Sequence, residues 1–383
     1  MHAETLLPPH NMSVIDFVYS FSLPSMCKNP ADYNIPDGHC FFSCESHTAD
    51  VSILAWLTVP PRTVLAILVK DRKQAWLNGS SSISLPGEQT YLPMWAPQFW
   101  SELHLTIEPA HTQWRSALEW LKRNEFQSFQ DQIRATLHSL STLSWFGNLN
   151  PQLPGKTAFV KSNLQVFLSR NWLNSEHIDQ LTYLLERDIQ EQDQASDVHR
   201  IDTILARKLL LLYDAEKNCN QLYLPEGDHF WQVFGKRLGP TSRVGGVFHV
   251  NGNHWVTAVV DIAMEELAYG DPLAIDGSPY PEIKSALLWF ISKHVTSFDP
   301  ATTDDECLSC PAQSLLSDWF NCGIFSHNSL LHAFLRNPIL QHTHNPVVGD
   351  LERLHILCRL ISTHNAMLSE ICSLDINARS SKL

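Results

Sequence analysis

The chain has 383 residues, 44% of them hydrophobic and 17% charged. That supplies enough apolar side chains for a sizeable core and excludes a disordered, charge-rich tail protein. Lys and Arg number 27 against 40 Asp and Glu, a net charge of −13. A general nucleic-acid binder needs a basic surface to displace phosphate counterions, so no nucleic-acid partner is expected, while a basic protein partner is permitted.

The chain opens MHAETLLPPHNMSVIDF, with no basic stretch ahead of an apolar one, so no secretory signal is expected. The apolar run at 63–69 stops at Lys70, well short of the roughly 18 residues of a membrane helix, and no membrane partner is expected. Nine Cys, an odd number, then read as reduced thiols of an intracellular protein. Cys27, Cys40, Cys44 and His47 match no standard metal spacing, and Cys307-x-x-Cys310 is a lone pair. No metal and no cofactor are expected.

Residues 51–70 carry two short apolar runs broken by Pro60 and Pro61, compatible with strands or with a strand and a helix. The Pro- and aromatic-rich stretch 85–100 reads as irregular, and helical spacing returns at 112–123 and 126–143. The segment NLNPQLPG at 148–155 is the best boundary. Residues 1–150 are therefore read as an accessory region of unknown role, and 155–383 as the functional domain.

In that domain 172–187, WLNSEHIDQLTYLLER, predicts a helix capped by Asn174 or Ser175, with Ile178, Leu181, Leu184 and Leu185 as its apolar stripe. The acidic 189–197 reads as a solvated loop or helix end, and 201–213 as an apolar helix. A strand at 244–250 runs into Asn251-Gly252-Asn253, where Asn-Gly accepts the positive φ of a type I′ hairpin turn. Strands at 254–261 and 267–269 follow, then helices at 280–295, 322–335 and 351–368, with 304–306 as an acidic loop. A helix, a short meander of strands and more helices indicate an α+β domain with a small sheet.

Cys322 stands where the helix 322–335 begins. A helix N-terminus presents unpaired N–H groups and the positive end of the macrodipole, a setting that favours a thiolate. Taken alone, a cysteine is more often a small buried apolar residue. A nucleophile also needs a base and a group that orients the base. His254 opens one strand and Asp271 closes its hairpin neighbour, 271 − 254 = 17 residues later, and Cys322 follows after a further 322 − 271 = 51. His249 and Asp276 are the competing imidazole and carboxylate. His249 lies before the turn and lacks a following Trp, so it reads as structural.

These residues resemble the SUMO-specific, ubiquitin-like-protein protease family, cysteine peptidases with the adenovirus-protease fold. The matching pieces come in the family's order: WLNSEHIDQLTYLL, then NHWVTAVVD, AYGDPL and DWFNCGIF. The likeness covers about 160–370 and implies an α+β, papain-like or adenain-like protease domain, with a small central mixed sheet flanked by helices. It implies a triad of His254, Asp271 and Cys322 that cleaves after the C-terminal Gly-Gly of a SUMO- or ubiquitin-like modifier, from a precursor or an isopeptide conjugate. By the same resemblance Trp255 covers the channel for that Gly-Gly tail and Trp172 forms its other wall. The family carries a Gln six residues before the Cys to help hold the oxyanion; this chain has Leu316 there, with Gln313 the nearest Gln.

Two alternatives follow: a weakly active or inactive modifier-binding module on the same fold, or an acyltransferase of the same clan. A fungal mobile-element protein is the setting the resemblance suggests. It also places the chain in nucleus or cytoplasm, whereas the closing Ser381-Lys382-Leu383 reads as a peroxisomal address. Nothing in the sequence bears on oligomeric state.

Overall fold

In the computed structural model the described residues are 6–27, 29, 33–36, 39–48, 50–149, 158–192, 197–219, 229–273, 279–307, 320–336 and 347–380. The expected features at Gln313, Leu316, Asp276, Cys310 and Ser381–Leu383 lie outside them. The chain divides into two compact units, Met1–Arg123 with Leu137–Gln165, and Asn124–Thr136 with Val166–Leu383. Among the described residues no helix is long and apolar enough to cross a membrane. None of their His, Cys, Asp and Glu side chains gather in threes fit to hold a metal ion.

The first unit has a small antiparallel sheet of Phe42–Ser43, Ser82–Ser84 and Tyr91–Pro93. Pro61 stands at the cap of the helix Arg62–Leu77, where a missing N–H costs nothing and a fixed φ suits the entry. The stretch expected to be irregular, 85–100, instead supplies the strand Tyr91–Pro93 and the start of the helix Ala96–Glu102. Pro97 falls in that helix's first turn, and Phe99 and Trp100 are buried by it. Composition had weighed the prolines as breakers when one of them begins a helix.

The second unit is built from α1 (Ser175–Glu191), β1 (Val198–Ile201), α2 (Thr203–Cys219), β2 (Arg243–Val250), β3 (His254–Asp261), β4 (Glu266–Gly270), α3 (Pro281–His294), β5 (Asp304–Cys307), α4 (Cys322–Leu335) and α5 (Val347–Ser380). The strands lie side by side in the order β5-β4-β3-β2-β1. The inner pairs β2–β3 and β3–β4 are antiparallel, and the outer strands β1 and β5 join in parallel. This is the expected α+β architecture, a small mixed sheet flanked by helices. The hairpin turn between β2 and β3 places Asn251 at φ 53 and Gly252 at φ 73, the type I′ signature.

Both faces of the sheet are covered, so β3 is buried from His254 to Val260 rather than alternating. Val256, Ala258 and Val260 pack in one core with Leu209 of α2 and Ile283, Leu287 and Ile291 of α3. On β3 the alternate residues meet α4: the Ser326 hydroxyl donates to the Trp255 carbonyl at 2.7 Å, and the Thr257 hydroxyl to the Ser326 carbonyl at 2.5 Å. All of α4 except His332 is buried.

Two expectations are corrected. The apolar run 201–213 was read as one helix, but Ile201 ends β1 in register with Gly246, and α2 begins at Thr203. The Asp179 carboxylate takes the Thr203 amide and Asp202 takes that of Leu205, fixing the start that hydrophobicity alone could not locate. The acidic stretch at 304–306 is not a loop; it forms β5 on the sheet edge. Its Asp305 pairs with Lys284 at 2.8 Å, and charge on an edge strand discourages further pairing.

Candidate active site

The three residues singled out by order and spacing occupy three element ends. His254 is the first residue of β3, Asp271 directly follows β4, and Cys322 is the first residue of α4. Pairing of β3 with β4 runs to Thr257 opposite Gly270, which carries Asp271 alongside His254. The imidazole Nε2 and an Asp271 carboxylate oxygen lie 2.6 Å apart, with both side chains buried. The same oxygen accepts the Leu273 amide at 2.8 Å, so a backbone donor fixes the carboxylate that fixes the ring.

With Nε2 committed to Asp271, the nitrogen left over for the Cys322 side chain is the buried Nδ1. Burial alone would lower the imidazole pKa. Hydrogen bonds with Asp271 and with the Cys322 side chain, and the charges of both, outweigh it and raise His254 to about 9. At neutral pH the ring is held protonated, with Asp271 on one nitrogen and Cys322 as the other group acting on it.

Trp255 is 2% exposed, and its indole N–H donates to the Leu173 carbonyl at 2.9 Å. His249, opposite Trp255 in the β2–β3 register, packs its ring against the indole at 4.4 Å. An added Cβ on Gly323 would stand 2.9 Å from the Ile178 Cδ1 and 3.4 Å from the Trp255 Cδ1. The glycine after Cys322 therefore lets α4 approach Ile178 of α1 closely, with Trp255 in ordinary contact beside it. Trp172, one residue before Leu173, keeps 42% of its surface exposed.

Sequence reasoning missed two further groups. The Asn251 amide donates to the Tyr280 hydroxyl at 2.9 Å. Burial first and the Asp271 charge second raise the tyrosine's pKa, so the carboxylate's charge acts on this hydroxyl. The second is Arg353, which is fully buried and donates to the carbonyl of Phe320 and to the side chain of Asn321, the two residues that lead into Cys322. Neither has a local motif; both arrive from elements distant in sequence.

No family model matches the chain, and no curated protein matches it. Solved structures do. The SUMO protease Ulp1, with its catalytic cysteine oxidized to a sulfenic acid, is 16% identical over 61% of this chain and 95% of that one, with a TM-score of 0.43. The C-terminal Ulp1 protease domain in complex with Smt3, the yeast ortholog of SUMO, is 14% identical over 61% and 95%, with a TM-score of 0.41. The Chaetomium thermophilum Ulp1-like SUMO protease catalytic domain is 19% identical over 50% and 72%, with a TM-score of 0.37. The solved structures this chain resembles include SUMO proteases. At such identities and scores the likeness carries no argument about activity, which has to rest on the residues themselves.

Proposed function

We propose that the chain is a cysteine peptidase that cleaves after the C-terminal Gly-Gly of a SUMO- or ubiquitin-like modifier. The observation that carries this is the buried His254–Asp271 pair with Cys322 acting on the same imidazole from the start of α4. The order of the four sequence pieces, from WLNSEHIDQLTYLL to DWFNCGIF, supports the choice of substrate class.

In this reading His254 already holds at Nδ1 the proton it shares with Cys322, and the sulfur attacks the carbonyl carbon of the terminal glycine. The tetrahedral oxyanion is held by backbone N–H groups at the start of α4, with Gln313 as a candidate second donor. The C–N bond then breaks as His254 returns the proton to the leaving amine, leaving a thioester on Cys322. Water, deprotonated by the same imidazole, attacks the thioester carbon, breaks the C–S bond and releases the modifier, returning the sulfur and the protonated ring to their starting state. Asp271 holds the ring orientation and stabilises the imidazolium throughout. Trp255 and Trp172 line the path of the Gly-Gly tail, where a larger residue would clash. No metal or cofactor takes part, and residues 1–150 serve as an accessory region.

The test is labelling with ubiquitin, SUMO and related modifiers that carry a C-terminal electrophile, beside Cys322→Ala. Adduct with one modifier, absent in the variant, supports the protease. Non-covalent binding without labelling favours the inactive binding module instead. Labelling that survives Cys322→Ala removes this choice of nucleophile.

A further inference from the structure

Cys322 is approached from behind by the first turns of α5. There Arg353, with no exposed surface, donates four hydrogen bonds to described residues around the cysteine. Its Nε donates to the Asn321 side-chain oxygen at 2.5 Å, and its Nη2 to the carbonyls of Phe320 at 2.6 Å and Asn171 at 2.9 Å. Its Nη1 donates to the Val166 carbonyl at 3.1 Å. The guanidinium also lies 5.5 Å from the centre of the Phe320 ring, which Arg170 flanks at 5.6 Å. Arg170 in turn binds the buried Asp350 of α5 at 2.8 Å.

Asn321 precedes the helix and is among the best N-cap residues, whose side chain takes the N–H of the second or third helical residue. Here it does not. Its backbone sits at φ −96 and ψ 5, away from the extended conformation of a cap, and its side chain makes no capping hydrogen bond. The oxygen that would cap is bound to Arg353 instead. Gly349 closes the other side, since a Cβ there would stand 2.3 Å from the Asn321 side-chain nitrogen. A capping Asn321 would occupy the Gly323 or Ile324 amide and place an oxygen dipole at the helix mouth, beside the sulfur. Cys322, the first residue of α4, acts there on the buried His254 imidazole, which marks that mouth as the place of reaction.

We propose that Arg353 is a positioning residue that holds Asn321 off the N-terminus of α4 and so keeps the helix mouth open for the charge that develops at Cys322. This rests on Cys322 being the nucleophile. It gives the capping side chain and the reaction opposite claims on the same amides, with Arg353 deciding between them.

The test is turnover of a modifier carrying a fluorogenic C-terminal amide, by the full chain and by Arg353→Lys, Asn321→Ala and the double variant, with melting curves beside them. Lysine keeps the charge but cannot reproduce the guanidinium's fork. Arg353→Lys is expected to lower kcat about tenfold, a fraction of the loss of an oxyanion donor, with KM changed less than about twofold. Adding Asn321→Ala, which removes the competing cap, is expected to recover most of that loss even as stability falls further. A merely structural role predicts the reverse, because two disruptions of one network cost more than one. A double variant no faster than Arg353→Lys overturns the proposal. If Arg353→Lys does not fold, Asn321→Ser and Asn321→Ala make the same comparison: serine caps well and alanine does not, so serine is expected to be the more stable and the slower. Serine equal to or faster than alanine overturns the proposal. Turnover that persists in Cys322→Ala, or none in the unaltered chain, removes the underlying reading as well; Cys322-dependent turnover with these variants failing removes only this inference.

Discussion

The two flanks of Cys322 are held by different chemistry. On the sheet side, His254 and Asp271 meet side chain to side chain at 2.6 Å, at the ends of neighbouring strands. On the α5 side, Arg353 reaches backbone among the described residues, donating to the carbonyl oxygens of Val166, Asn171 and Phe320 as well as to the Asn321 side chain. A pair of titratable side chains moves protons and sets which form of a ring exists. A guanidinium on carbonyls moves nothing, but fixes where the chain runs. The first flank should govern the rate of a chemical step and its pH dependence, the second stability and geometry.

The sharpest way to break that comparison is on the sheet side. His254→Ala is expected to lower kcat by about 10⁴-fold or more, near 5.5 kcal/mol of barrier, with labelling at Cys322 reduced in parallel. Asp271→Asn keeps the shape but leaves the ring free to take the wrong tautomer, and a loss of about 10²–10⁴-fold is expected. Above about pH 9, where the imidazolium no longer contributes stability, both variants should melt closer to the unaltered chain than they do at neutral pH. If either unfolds the protein instead, the flank is structural and the division of roles fails.

On the other side, Arg353→Met should show the opposite pattern of stability. It strips the Asn321 oxygen and the carbonyls of Phe320, Asn171 and Val166 of a buried donor. Removing one partner from such a network costs on the order of 3–5 kcal/mol. Denaturant midpoints should therefore fall strongly. A midpoint shift below about 1 kcal/mol would mean that water replaces the guanidinium.

Titration separates the flanks again. The folded His254 is raised from 6.5 to about 9, so its charged form contributes stability that is complete below pH 6.5 and is lost as pH rises through about 9. That contribution is at most a few kcal/mol. Melting temperature should decline across this window, and the slope should flatten in His254→Gln. An unchanged slope in the variant would show that the imidazole is not the group titrating.

The sheet side was legible in the sequence because it is local. Asn251-Gly252 announces the hairpin that brings β2 and β3 together, His254 starts β3 as expected, and α4 spans 322–335 as the apolar spacing required. The α5 side was not legible. Arg353 sits in DLERLHIL, where a single arginine on a helix reads as solvated, and its four partners lie between 32 and 187 residues away. No window holds both ends of such a bond. The same limit explains the misread edge strand, since β5 is strand-like only because β4 offers it a parallel partner. It explains Ile201 too, whose place in β1 is decided by β2.

The smallest expected effect lies where the two flanks meet, at Gly323. An alanine Cβ would stand 2.9 Å from the Ile178 Cδ1 and 3.4 Å from both the Leu173 Cδ1 and the Trp255 Cδ1. The tightest contact is with the flexible end of an isoleucine, which can turn aside at modest cost, while alanine favours the helix over glycine by up to about 1 kcal/mol. The two terms nearly cancel, so Gly323→Ala should melt within about 1 kcal/mol of the unaltered chain. The added methyl would stand in van der Waals contact with Trp255, whose indole is bonded to the Leu173 carbonyl. With Trp255 lining the Gly-Gly path, KM is expected to rise severalfold while kcat holds, because the His254–Asp271 pair is untouched. A fall in kcat at constant KM would place Gly323 with the chemistry instead, and would mean that the start of α4 tolerates no movement at all.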